Sequence, residues 1–368
     1  MSRRQSYNKE KVRLSFRRKS PNNNLTNLVM LIGITLIVNT VKWQVSKMQS
    51  PTVESNETGM SIFQLYSKEP NTQNCSEGIL NNSEKQKVLN RLNYIRGLHG
   101  LPTVFYNSNN DNLTAKLALA LAVNIDKFER PNSSFKCWSG QAGIGVNDSL
   151  SYSIIYSSTY SQISSGMNLY RSENFVDALL MDSRRENSAG SRWLLNPFLK
   201  SISFGRVDGE PLVAKTTTVG YDGETIERKA DYVSEATINF SSDEQQNLAD
   251  LNVKSTAYPI GEYPKELFEK GKYQHGYPPM LFYVIAFNKK IVRQQDVNFS
   301  NSSVQISNEN GESLEVNSLQ REANNKDLPN MLTWKVNQIK QGAKYIVTVK
   351  NVKVFDTVIN YEYWFRLK

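Results

Sequence analysis

The chain has 368 residues, 39% hydrophobic, 10% aromatic and 21% charged, a balance that excludes wholesale disorder and leaves room for two domains. Its net charge of +9 suggests a nucleic-acid partner, but residues 1–24 hold eight Lys and Arg against Glu10 alone, a net +7 that leaves only +2 for the rest. The folded part is therefore close to neutral, and nucleic acid is excluded as an expected partner.

The basic tail (1–24) runs into LTNLVMLIGITLIVNTV, in which Leu28 to Val38 carry no charge. A basic flank followed by an apolar run reads as a membrane-targeting segment with its positive side in the cytoplasm. We take residues 25–43 as an uncleaved transmembrane signal anchor, at the lower limit of spanning length. A cleaved signal peptide is the alternative, although NTVKWQVSKMQS lacks a convincing small-x-small site, and a buried core helix is the third reading. Either membrane reading puts the remainder outside the cytoplasm. Residues 44–79 are polar and without period, as expected of a linker. There are two cysteines, Cys75 and Cys137. In an oxidising compartment they can pair, tying the start of the ectodomain to its middle; two unpaired thiols are the alternative.

Ser83 and Gln86 form a capping-box pattern, and Val88, Leu92 and Ile95 then line one face of a helix that Gly100 and Pro102 stop. A second helix is expected over 112–128, rich in Ala and Leu, and a third from about Ser172 through ENFVDALLMDS. The stretch SGQAGIGVNDSLSYSIIYSSTYSQISSGMNLY between them reads as a surface loop; its glycines neither follow a strand nor open a helix, as a phosphate loop would require. After 196 the segments SISFGRVDG, LVAKTTTVGYD and EATINF read as strands. AYPIGEYPKELF marks a boundary, and from 278 onward short strands, with a turn at Asn310-Gly311, suggest a β-sandwich.

VLNRLNYIRGLHGLPTVFYN (88–107), the Ala/Leu helix ending in Asn124, and AGSRWLLNPFLKSISFG (189–205) together resemble the bacterial branch of the CAP superfamily, the cysteine-rich secretory, antigen 5 and pathogenesis-related proteins. The resemblance covers about residues 80–255, and AYPIGEYP with the β-rich tail resembles the C-terminal module of bacterial members. It implies an α+β chain: a CAP-type α-β-α sandwich over 80–255, then a small all-β, sandwich-like domain over 256–368. The family pattern sets two histidines and two acidic residues around a cleft that can hold a divalent metal. By motif, the histidine positions are occupied here by Ser191 and Glu129, and the acidic positions by Met167 and Asp182. Two carboxylates, a thioether and a hydroxyl make a poor transition-metal site, so no metal and no other cofactor is expected.

No other constellation suggests catalysis. The chain has only two histidines. His99 ends the first helix, where a structural role suits it, and His275 sits at the expected domain junction; neither has the context of a triad base. Glu173 and Glu186 could pair for glycoside cleavage, but helix carboxylates more often face solvent. Arg192 and Trp193 read as a cation–aromatic brace, with Asn196 and Pro197 as a structural stop. Tyr152, Tyr156, Tyr160 and Tyr170 are either half-buried tyrosines or the wall of a ligand groove. The expectation is a membrane-tethered, non-catalytic ectodomain that binds an unknown cell-surface, envelope or lipid ligand. A hydrolase rebuilt on Glu129 and Asp182, or a carrier of an apolar ligand, is the alternative.

Overall fold

The computed structural model describes residues 61–368 except 128, 166–168, 181–188, 214, 220–224, 243–252, 270–279, 289, 293–295 and 323–330. The expected tail and anchor lie outside the described residues, as do Met167, Asp182 and His275. Among the described residues no helix is long and apolar enough to cross a membrane.

The stretch expected to be a polar linker is packed from Ile62 onward. Helix α1 (Ile62–Leu65) and strands β1 (Tyr66–Lys68) and β2 (Ile79–Leu80) bury Ile62, Leu65, Tyr66 and Leu80 in the main core. These few apolar side chains are too sparse to show a period. Helix α2 (Asn82–Leu98) starts one residue before Ser83, with Asn81 as N-cap. The capping box read at Ser83 is thus displaced, and the Gln86 amide instead donates to Asn90 at 2.7 Å. The helix stops as expected at Leu98, with Gly100 at φ +65°. After β3 (Phe105–Tyr106), helix α3 (Asp111–Val123) ends well short of residue 128. Asn124 closes it, its amide donating to the carbonyls of Ala120 and Lys136.

The expected surface loop holds three elements: α4 (Gly140–Gly145), β4 (Ser149–Tyr156) and α5 (Tyr160–Ser164). The alternation of Leu150, Tyr152, Ile154 and Tyr156 with serines is a strand signal, and β4 is almost wholly buried. Helices α6 (Asn174–Leu180) and α7 (Ala189–Leu194) follow, then β5 (Leu199–Gly209), the hairpin β6 (Lys215–Val219) and β7 (Thr225–Lys229), and β8 (Tyr232–Ser242).

Strands β3, β5, β8 and β4, in that order, make a four-stranded sheet, antiparallel except for β3 on β5. Its two faces are buried against different helices. Ile154, Phe204, Tyr232, Ala236 and Ile238 join one core with α2, α6 and α7, while Val207 and Val233 join a second with Ala118, Leu119, Ala122 and Val123 of α3. Gly205 makes the second contact possible: a Cβ there would lie 2.3 Å from the backbone of Thr114. Gly190 does the same for α7, where a Cβ would meet the Leu179 carbonyl at 1.8 Å.

From residue 255 onward the strands form two main sheets and a short hairpin, β12 (Ala286–Phe287) with β13 (Lys290–Ile291). β9 (Ser255–Tyr258), β11 (Met280–Val284), β17 (Val316–Glu322) and β18 (Met331–Val336) make one, in the order β17-β18-β11-β9. β10 (Gly261–Tyr263), β14 (Val297–Asn298), β15 (Ser303–Asn308), β16 (Ser313–Leu314), β19 (Lys344–Val354) and β20 (Thr357–Leu367) make the other, in the order β10-β20-β19-β15-β16 with β14 paired to β19 off that path. Phe282 of the first packs against Tyr361 and Tyr363 of the second. The opposite face of the first carries Tyr258, stacked on His99 at the end of α2. With both faces covered, β11 is buried at every position, which explains its unbroken MLFYV run. Residues before and after 255 therefore share one core, and AYPIGEYPKELF, expected as a boundary, contributes buried Tyr258, Tyr263, Leu267 and Phe268.

Candidate functional site

Of the four cleft positions taken from the family pattern, two are described. Glu129 is exposed and follows α3, on one side of the four-stranded sheet, whereas Ser191 is 2% exposed and belongs to α7, packed on the other. The side chain of Arg192 lies outside the described residues, and the partner the structure gives Trp193 is Phe240, stacked at 5.2 Å. Asn196 closes the turn after α7, its side-chain oxygen accepting from the Phe198 N–H at 2.9 Å, with Pro197 buried beside it. Arg96 of α2, wholly buried, donates to the carbonyls of Pro102, Leu194 and Asn196 at 2.8–2.9 Å. A guanidinium here satisfies carbonyls that the end of α7 leaves unpaired. His99 is buried, its Nδ1 2.7 Å from the Ala257 carbonyl and its Nε2 3.2 Å from the Tyr263 hydroxyl. Burial outweighs that backbone contact and lowers the imidazole to about 4, so His99 is neutral.

A second assembly of buried polar groups is built on β5. Arg206 and Asp208, on the α2/α6 face of β5, are both fully buried and joined twice, Nε to Oδ2 at 2.7 Å and Nη2 to Oδ1 at 2.9 Å. The hydroxyls of Tyr66 and Ser234 also donate to Asp208. Arg206 Nη1 donates to Ser172 at 3.2 Å, Ser172 donates to Glu84 at 2.8 Å, and Glu84 accepts from Lys87 at 2.6 Å. Ser234 is hydrogen-bonded to the Tyr156 hydroxyl at 3.2 Å, and that hydroxyl accepts from the Tyr170 N–H. The Arg206 guanidinium lies 5.3 Å from the centre of the Phe175 ring.

Burial opposes the charge on Arg206, but the Asp208 carboxylate more than offsets it and holds the guanidinium above its ordinary range. Burial, then the neighbouring Asp208 charge, pushes Tyr66 well above the usual phenol value, and burial raises Tyr156. The phenols therefore stay protonated and the guanidinium stays charged. This arrangement holds fixed charges in place and offers no base poised to take a proton at neutral pH. It ties β1, α2, the start of α6, β5 and β8 together. The residue types alone did not single it out, although VDG at the end of a strand and a serine on its neighbour are visible in the sequence.

At one end of the sheet the network approaches the surface. Tyr232 pairs with Tyr156 in the β4–β8 register, and the rings of Tyr156 and Tyr160 each centre 6.3 Å from that of Tyr232. Tyr160 is 40% exposed and its hydroxyl donates to Glu69 at 2.9 Å. Among the described residues no group of three or more His, Cys, Asp or Glu side chains is arranged to hold a metal ion. Cys75 and Cys137 form a disulfide across a separation of 62 residues. No protein-family model matches this chain, and no curated protein matches it.

Proposed function

We propose that the chain is a membrane-tethered, extracytoplasmic protein resembling the CAP superfamily that has lost the family's ion site, since its two described positions lie on opposite sides of the sheet, and that acts by binding and not by catalysis. The observation that carries the location is the Cys75–Cys137 pairing, because such bonds persist in oxidising compartments and are reduced in the cytosol. The +7 flank before an apolar run supports the same orientation. The family reading draws on a sheet with α3 on one face and α2, α6 and α7 on the other, and on Gly190, whose missing Cβ lets the Arg-Trp-Leu-Leu-Asn-Pro helix sit against α6. Where the family has an imidazole, this chain has a buried hydroxyl at Ser191.

Thiol labelling in intact cells tests the location. A membrane-impermeant maleimide should label Cys75 and Cys137 only after an external reductant is added. Labelling that needs cell lysis but no reductant would place the domain in the cytoplasm and end the proposal. The cleft reading is tested by Ser191→His combined with Glu129→His in the full-length chain. With the two positions on opposite sides of the sheet no zinc uptake is expected, and acquired zinc binding would show that they share a cleft after all.

A further inference from the structure

The structure separates the tyrosines that the sequence grouped together. Tyr152 and Tyr170 pack on Phe175 inside the core, whereas Tyr156 and Tyr160 converge on Tyr232. The Tyr232 hydroxyl is buried, with the whole residue 1% exposed, yet it has no hydrogen-bond partner among the described residues. A buried hydroxyl left unpaired is costly and rare in folded proteins, so something outside the protein chain is expected to pair with it.

The charges nearby narrow what that is. Glu69 and Asp208 both act electrostatically on this hydroxyl, but Asp208 is neutralised by Arg206. Asp231, next in sequence, is paired with Lys229. Glu69 has no cationic partner among the described residues; its one bond is from the Tyr160 hydroxyl. Among the described residues the local balance is therefore one negative charge, beside the rings of Tyr160 and Tyr232. Aromatic faces with a carboxylate favour a cation and disfavour an anion.

We propose that Tyr156, Tyr160, Tyr232 and Glu69 form a binding site for an alkylammonium group. The ammonium donates to the Glu69 carboxylate and to the Tyr232 oxygen, and its methylene stem lies along the Tyr160 ring. A quaternary ammonium has no N–H to give either acceptor and fits less well. Binding displaces the Tyr160 hydroxyl from Glu69, which then exchanges a neutral donor for a charged one. The site is independent of the ion cleft, so failure of either proposal leaves the other standing.

Titration calorimetry on the full-length chain tests it, with butylammonium, tetramethylammonium, butanol and glycerophosphoethanolamine as probes. Saturable binding of butylammonium but not butanol is expected. Glu69→Gln and Tyr160→Ala, both at the surface and expected to leave the thermal transition in place, should each weaken it about tenfold. Tyr232→Phe keeps the ring and should weaken it less. Glycerophosphoethanolamine binding more tightly than butylammonium identifies a lipid headgroup as the source of the amine, and the reverse identifies a simple amine; either supports the site. No saturable butylammonium binding, equal binding of butanol or tetramethylammonium, or an unaltered affinity in Glu69→Gln would overturn it and leave a trapped water as the partner of Tyr232.

Discussion

Replacing Asp208 by alanine tests the reading of the buried network most directly. The carboxylate accepts from Arg206 twice, from Tyr66 and from Ser234, and both members of the ion pair are 0% exposed. Asp208→Ala removes all four acceptor contacts and strands a buried guanidinium whose remaining hydrogen-bond partners are the hydroxyls of Ser172 and Ser234. Breaking one side of such a pair costs about 3–5 kcal/mol, far more than the pair itself contributes, because an uncompensated charge is left in low dielectric. Removing both charges, in Arg206→Leu with Asp208→Ala, should therefore cost less than the sum of the two single changes. Tyr66→Phe leaves three donors on Asp208 and should cost about 1.5–3 kcal/mol, the range for a hydrogen bond to a charged group. Urea unfolding followed by tryptophan fluorescence reads these differences as midpoint shifts at constant slope. A loss below about 1 kcal/mol for Asp208→Ala, the scale of an exposed pair, would mean that the pair is solvated and not buried. So would strict additivity of the two single changes in the double variant.

Three further outcomes follow from other parts of the molecule. Cys75→Ser with Cys137→Ser opens a loop of 62 residues, and the chain-entropy relation puts the loss of unfolding free energy at about 4 kcal/mol, measurable by the same urea titration. His99 is protonated in the unfolded chain below its usual 6.5 but in the folded protein only below about 4. Its contribution is fully present above pH 6.5 and is lost as pH falls towards 4, by about 3 kcal/mol in total, and His99→Gln should flatten that slope in unfolding measured across the window. Gly205→Ala sets a methyl 2.3 Å from the α3 backbone, so helix and sheet must part; a loss of about 3 kcal/mol or more in thermal unfolding is expected, and a neutral result would mean that α3 does not lie where the structure puts it.

The elements that could be read from the chain are those whose burial is one-sided or complete. Val88, Leu92 and Ile95 mark the inner face of α2, the run MLFYV marks a strand covered on both sides, and Gly100 marks a helix end through its positive φ. Misreadings came where local cues were diluted. Strand β4 carries the strand alternation of Leu150, Tyr152, Ile154 and Tyr156, but the glycines before it and the Ser/Gly-rich stretch after it give the whole segment a loop-like composition. The packed segment from Ile62 to Leu80 was hidden because its apolar residues are few and widely spaced. Asn124 ended α3 before residue 128 through side-chain bonds to a carbonyl and an N–H of Lys136, twelve residues away.

The candidate site divides in the same way. The Gly190-to-Pro197 motif is local, and so its resemblance to a family could be seen from the sequence alone. The Arg206 network could not, because its members, Tyr66, Glu84, Ser172, Asp208 and Ser234, come from five separate stretches and meet only across the face of the sheet. The charge asymmetry, the α+β character and several of the longer strands follow from the sequence alone, since these depend on composition and on periods of two or three to four residues. Only the tertiary structure decided which polar groups are buried together and which tyrosines converge, because a hydrogen bond between residues 66 and 208 depends on sheet register and helix packing, and neither leaves a mark on the residues next to them in the chain.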